Sequence, residues 1–349
     1  MLHTQINDFE LLRLSLHRIT FLRLEEKKNL LKKLDSSYSL ALLSIEEIEK
    51  IINREIKNRD YWDGKENLHR AQIALHYCHS LGIKVLGCQD ENYPELLRQI
   101  PDYPFLLFCR GNEKLLGEKS VSVVGTRRLT QLGKEAAKNF AYDAVMHGVN
   151  VVSGLANGAD GFAHQGALNA WYDTCEKDLD VDSLGRTIAV LPCSIDEIVP
   201  VGHKRMAGQI LQSGGCLISE YEPKLEMAGW HYVGRNRIIA GLSPATVVVE
   251  APAGSGALIT ADFALEYNRD VIFHSVTFDG KACEVSEFVR KQLEIDHAAG
   301  LVSKYKIENR PEKFLEAGAP VVKDYNEYCM VMNSPPGVLS QPSMQGTLF

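Results

Sequence analysis

Two stretches decide the fold: Val121-Ser-Val-Val-Gly125-Thr-Arg-Arg128, and Val149-Asn-Val-Val-Ser153-Gly-Leu-Ala-Asn-Gly158-Ala-Asp160. Each is a β-branched apolar run that ends in a glycine-containing turn and passes into helical periodicity, so strand, turn and helix are predicted twice in succession. Working outward, the same alternation predicts strands at Thr187 to Leu191, Cys216 to Ser219, Thr246 to Glu250 and Val271 to His274, with helices near 203–213, 236–242 and 257–268. Repeated strand-helix units with short connections imply a doubly wound parallel α/β sheet covered on both faces. Upstream, Ile83 to Leu86 and Phe105 to Cys109, joined through Tyr93-Pro94, Pro101 and Pro104, predict two strands that widen this sheet.

The flanks read differently. Over residues 1–78, Leu11, Leu12, Ile19, Leu30, Leu34, Ile48 and Ile52 recur at helical spacing among charged residues, which predicts a small N-terminal helical domain that docks or caps. Residues 79–332 form the main domain, with an insertion at about 275–309 that holds one helix from Val285 to Ile295, and 333–349 has the composition of a flexible tail. A chain of 349 residues, 45% hydrophobic, can bury a sizeable core, and its formal charge of -7 argues against binding nucleic acid through bulk positive potential. Five acids between Trp171 and Leu184 face only Lys177, so a local basic groove survives that average. Eight cysteines without a C-x-x-C pair read as free buried thiols of a reducing cytosol, and no apolar run is long enough to span a membrane. The chain is expected to be cytoplasmic.

Strand-to-helix turns expose backbone N–H groups at a helix dipole's positive end, an arrangement that attracts phosphate. Four such turns are predicted along one sheet edge. Gly125, Thr126, Arg127 and Arg128 form the first, where two guanidiniums can grip phosphate bidentately. Ser153, Gly154, Asn157 and Gly158 form the second; Asp160 and His164 follow it and are read as a hydrogen-bonded structural pair. Arg235, Asn236 and Arg237 precede a helix expected to begin near Ile238, with ion pairing to Glu220, Glu222 or Glu250 as the competing role of the arginines. Gly254, Ser255, Gly256 and Thr260 complete the set. Four anion-seeking turns suggest a polyanion track, since one nucleotide needs fewer. Gly125 and Gly133 lack dinucleotide spacing, and Glu135 stands where a P-loop needs a hydroxyl, which excludes an ordinary NAD enzyme or NTPase. No catalytic constellation, metal site or cofactor is predicted.

Six motifs in order carry a resemblance: Val123-Val-Gly-Thr-Arg127, Val151 to His164, Ile218-Ser-Glu220, Arg235-Asn-Arg-Ile-Ile-Ala-Gly-Leu-Ser243, Val247-Val-Val-Glu-Ala251 and Ser255-Gly-Ala-Leu-Ile-Thr-Ala261. Together they resemble the DNA-processing protein A (DprA/Smf) family across roughly residues 80–325. The resemblance implies an extended Rossmann-like domain that binds single-stranded DNA, forms a homodimer and loads a RecA-type recombinase during natural transformation or recombination, without turnover. It assigns phosphate contacts to Gly125 through Arg127, Ser153 through Gly158 and Arg235 through Arg237. Asn157 replaces a basic residue common in the family, and Lys204 or Arg205 takes the basic role expected near Val199-Pro200. The last five residues, with Gln345, Leu348 and Phe349 as anchors, resemble a peptide that docks in the bacterial sliding clamp. The alternative reading is a nucleotide-binding enzyme or sensor of the phosphoribohydrolase type, resting on Gly254-Ser-Gly256 with Glu250 and Glu266.

Overall fold

Parallel strands buried on both faces need β-branched side chains in unbroken runs. The centre of the sheet meets that need: β3 (Ser120–Gly125) and β7 (Ala245–Val249) lie side by side with Ser122 opposite Thr246 and Val124 opposite Val248, and every valine in both is buried. The computed structural model describes residues 7–57 and 62–334. The clamp-like anchors Gln345, Leu348 and Phe349 therefore lie outside the described residues.

Among the described residues five helices come first, α1 (Asp8–His17), α2 (Leu24–Lys33), α3 (Ser37–Leu42), α4 (Ile45–Ile52) and α5 (Gly64–Ser80). The expected widening strands follow as β1 (Lys84–Gly87) and β2 (Leu106–Gly111), with a short α6 (Glu95–Arg98) between them. After β3 the chain alternates through α7 (Gln131–Met146), β4 (Asn150–Ser153), α8 (Ala159–Glu176), β5 (Thr187–Val190), α9 (Lys204–Gln212), β6 (Cys216–Ser219), α10 (His231–Leu242), β7, α11 (Gly256–Glu266) and β8 (Asp270–His274). It closes with α12 (Gly280–Ala298), α13 (Lys304–Glu308), α14 (Pro311–Glu316), β9 (Val321–Val322) and α15 (Tyr325–Asn333).

Among the described residues one sheet of nine strands results, in the order β1-β2-β6-β5-β4-β3-β7-β8-β9. From β6 to β9 every neighbour is parallel, and the antiparallel pairs β1-β2 and β2-β6 extend that edge. The chain winds outward from β3 to β6, then returns to β7 and winds the other way, the doubly wound α/β pattern. Helices α7, α8 and α15 bury Ala137, Phe140, Ala163 and Tyr328 against one face. On the other, Ile238, Ile239 and Leu258 of α10 and α11 join a continuous core that also takes in Leu14, Leu16 and Leu75 of the N-terminal helices.

Several expectations need correction. Helix α10 starts at His231 rather than near Ile238, so Arg235, Asn236 and Arg237 lie in its second turn and not before its first. The insertion holds two helices where one was expected, and α12 extends well beyond Val285 to Ile295 at both ends. Asn333, read as the start of the tail, ends α15, whose Tyr325 and Tyr328 rings stack edge-on to Phe140 at 5.6 and 5.4 Å. Its start was readable: Asp324 accepts from Glu327 N, and the Glu327 carboxylate accepts from Lys323 N. All eight cysteines are free, but Cys175 and Cys283 sit on solvent faces of helices rather than in the core.

Helices α7 and α8 approach closely because their facing residues are small. A Cβ on Gly166 would stand 2.1 Å from the Lys138 carbonyl oxygen. Gly166→Ala must push the two helices apart, and a loss of about 1–3 kcal/mol in urea unfolding is expected. Gly202→Ala, whose Cβ would meet nothing within 4 Å, should leave the midpoint unchanged.

Candidate nucleic-acid interface

The site forms where β3 and β7 end, the switch point of the winding and the place where doubly wound sheets take ligands. Only glycine fits at 125: a Cβ there would lie 1.9 Å from the Val249 carbonyl oxygen. Thr126 N donates to Glu250 O at 2.6 Å, and the Glu250 carboxylate accepts from Thr130 N at 2.8 Å and from the Thr130 hydroxyl. Thr130 Oγ1 in turn accepts from Gly133 N at 3.1 Å. The start of α7 is thus capped from inside the protein, and Glu250 pins the first loop.

The second turn is also self-satisfied. Asp160, in the first turn of α8, folds back to accept from Ala156 N at 3.2 Å, placing a carboxylate where the helix-start argument put a phosphate. Ser153 Oγ donates to Val123 O at 2.7 Å, and Ser153 and Gly154 are fully enclosed. Gly158, at φ +81°, packs against the first loop, with the Thr126 carbonyl oxygen 2.3 Å from where its Cβ would be. Of the second turn only Asn157 is exposed, beside half-buried Gly158. At the fourth turn, Gly254 N donates to Asn309 O at 2.8 Å, Ser255 Oγ accepts from Ala257 N, and buried Thr260 donates to Gly256 O. Backbone N–H groups in each of these three turns are therefore taken from within, and Arg127, Arg128 and Arg235 supply the positive charge.

Those cations divide. Arg127 and Arg128 are exposed, and among the described residues neither makes a salt bridge; the Arg127 guanidinium rests 5.3 Å over the Tyr232 ring. Arg235 is 4% exposed, donates from Nη1 to Val190 O at 2.7 Å, and has no partner at Nε. Its Nη1 and Asp160 Oδ2 lie 1.8 and 2.6 Å from the point a Gly154 Cβ would occupy, so this buried charge pair needs glycine beside it. Burial pushes the Arg235 guanidinium below its ordinary value, Asp160 raises it and neighbouring Arg127 lowers it again. Burial likewise raises the Asp160 carboxyl, opposed by Arg235. Arg237 points elsewhere: its Nη2 donates to both Glu220 oxygens at 2.8 and 2.9 Å, and its Nε lies 3.2 Å from Asp102. It takes the competing ion-pair role weighed for it in the sequence.

The first loop, Tyr232, Arg235 and Asn236 of α10, and Pro252 through Gly256 enclose a cleft of about 410 Å3, which Val289 and Leu293 of α12 wall on the remaining side. Lys204 is exposed along the same sheet edge but lines a separate groove with Arg110 and Asp196. Tyr232, Val289 and Leu293 were missed by sequence reasoning. Helix α10 begins without any side-chain cap at Trp230, which hid Tyr232's place three residues before Arg235. Nothing local tells that an insertion folds back over a distant loop. Among the described residues no three His, Cys, Asp or Glu side chains gather as a metal site needs, and no helix is long and apolar enough to cross a membrane.

The model of the family described as DNA recombination-mediator protein A matches residues 84–313. The chain belongs to this family. Curated relatives include Protein Smf of Borreliella burgdorferi, 32% identical over 60% of this chain and 63% of its own, and DNA processing protein DprA of Bacillus subtilis, 35% identical over 54% and 60%. Protein Smf of Escherichia coli is 36% identical over 54% of this chain and 46% of its own, so the matched region spans about half to three-fifths of these relatives. The X-ray structure of DNA processing protein A from Streptococcus pneumoniae is 25% identical, with a TM-score of 0.65 over 93% of this chain and 98% of that one.

In this member of the mediator family, the pairing of Asp160 with His164 does not occur. His164 Nδ1 instead donates to Thr187 Oγ1 at 2.7 Å, because Thr187 gives its own proton to Val151 O; Nε2 is buried without a partner. Burial pushes this imidazole down to about 3 from an ordinary 6.5, so it stays neutral in the fold and takes up a proton first on unfolding. Its contribution is complete above pH 6.5 and is lost as the pH falls toward 3. Urea unfolding should show an acid limb to which His164 adds up to about 1.4 kcal/mol per pH unit, and His164→Leu should make that limb shallower by the same slope.

Proposed function

We propose that this chain is a cytoplasmic single-stranded DNA-binding protein that protects incoming or recombining DNA and loads a RecA-type recombinase, working as a homodimer without catalytic turnover. The observation that carries the reading is the convergence of Arg127, Arg128 and Arg235 on one cleft at the β3–β7 switch point. Arg127 is a like charge close enough to lower Arg235, whose buried counter-charge is Asp160. An incoming phosphate relieves that repulsion and meets the unpartnered Arg235 Nε, a charge-assisted contact stronger than a neutral one. Because Arg235 lies below the surface, the phosphate must be carried inward by a backbone that bends sharply. A single strand does so readily, whereas duplex DNA, stiff over about 150 base pairs, does not. Family membership and the DNA-processing names of the relatives support the same ligand. The helices of residues 1–78 serve as a docking or capping module in this reading.

Fluorescence anisotropy with single-stranded oligonucleotides tests the contact. Arg127→Ala should weaken binding about tenfold across unrelated sequences and reduce the slope of log affinity against log salt by roughly 0.7. Arg237→Ala, which breaks the pairing with Glu220, should lower the melting temperature more than it lowers affinity. An Arg127→Ala protein that binds as tightly as wild type at moderate salt would remove this cleft from the interface.

A further inference from the structure

Phosphate recognition accounts for only half of the cleft. Besides the arginines, Val289 and Leu293 of α12, one helical turn apart, line the cleft, and Ile239 and Ile259 lie along the same lining. Setting a phosphate against such a surface costs hydration with nothing in return. A wall of this kind suits a flat, apolar group carried on an anion, which is what an unstacked nucleobase is.

Helix α12 is fixed over the cleft and is not a free arm. Near its start, Ala282 is buried, and Val285 and Ser286 meet Thr126, Arg128 and Glu250 around a small cavity. Beyond its end, Asn309 O accepts from Gly254 N at 2.8 Å. The Asp262 carboxylate of α11 accepts from Tyr305 OH at 2.6 Å, Asn309 Nδ2 at 2.7 Å and Lys313 Nζ at 3.3 Å, tying the insertion down a second time. Leu293 Cδ1 reaches within 3.1 Å of the point a Gly254 Cβ would occupy, so the helix rests on the fourth turn itself. The Tyr232 ring lines the same cleft, with the Arg127 guanidinium 5.3 Å over it.

We propose that α12 supplies a base-binding wall: Val289 and Leu293 close against one face of an unstacked nucleobase while the Tyr232 ring meets the other. This deepens the single-stranded DNA reading and rests on it. Bases in a duplex are stacked and paired on all sides, so the wall adds to the preference for single strands.

The test uses the full chain and two oligonucleotides of equal length, one of thymidines and one of abasic deoxyribose phosphates. Wild type should bind the thymidine strand about tenfold more tightly than the abasic one. The double variant Val289→Ala/Leu293→Ala should lose that advantage while holding the abasic strand as wild type does, whereas Arg127→Ala should weaken both alike. Leu293→Met, which keeps the apolar bulk, should retain the thymidine preference and so shows that the wall, not the fold, was altered. Equal losses on both strands in the double variant, or no loss on either, would overturn the proposal. So would a wild type indifferent to the bases. Wild type that binds neither strand overturns the DNA reading itself, and this inference with it.

Discussion

The carbonyl of Val249 and the backbone of Gly125 meet at a separation that no side chain tolerates, and the ligand edge of the molecule is assembled around that contact. It brings the ends of β3 and β7 together so that Glu250, one residue past its strand, reaches the first loop through its own carbonyl to Thr126 and through its carboxylate to Thr130. The second loop then leans on the first through Gly158 and the Ala159–Thr126 hydrogen bond at 3.1 Å. Steric exclusion sets the spacing, and hydrogen bonds fix the orientation.

A second constraint follows from enclosure. Burying Arg235 beside Asp160 desolvates two charges, and each opposes the displacement that burial imposes on the other. Gly154 makes room for both, and the Val190 carbonyl holds one guanidinium nitrogen. What faces the cleft is a cation already oriented and partly stripped of water, next to a solvated Arg127. Preorganisation of this kind favours an anion without first having to order a long side chain.

The alternating strands, the turns that end them and the arginines beside the first turn were legible in the sequence because each depends on local chemistry: branching at Cβ, glycine at tight approaches and apolar spacing. Helix α10 shows where that stops. Without a capping side chain its start could not be placed, so Arg235 and Arg237 were read as a helix-start clamp, whereas one lies beneath the cleft and the other is paired with Glu220 and Asp102. The second and fourth turns were read as open, and a backbone N–H in each is already taken: Ala156 N by the Asp160 carboxylate, and Gly254 N by the Asn309 carbonyl more than fifty residues away.

By itself, then, the sequence determined the class of sheet and the succession of strands, glycine-containing turns and helices along one of its edges, since these follow from patterns within a few residues of one another. Only the tertiary structure decided which arginines are available, which turn N–H groups are already satisfied and that α12 lines the cleft. Those outcomes depend on partners far apart in the chain, and a backbone N–H or a guanidinium carries no local mark of whether a distant oxygen will reach it first.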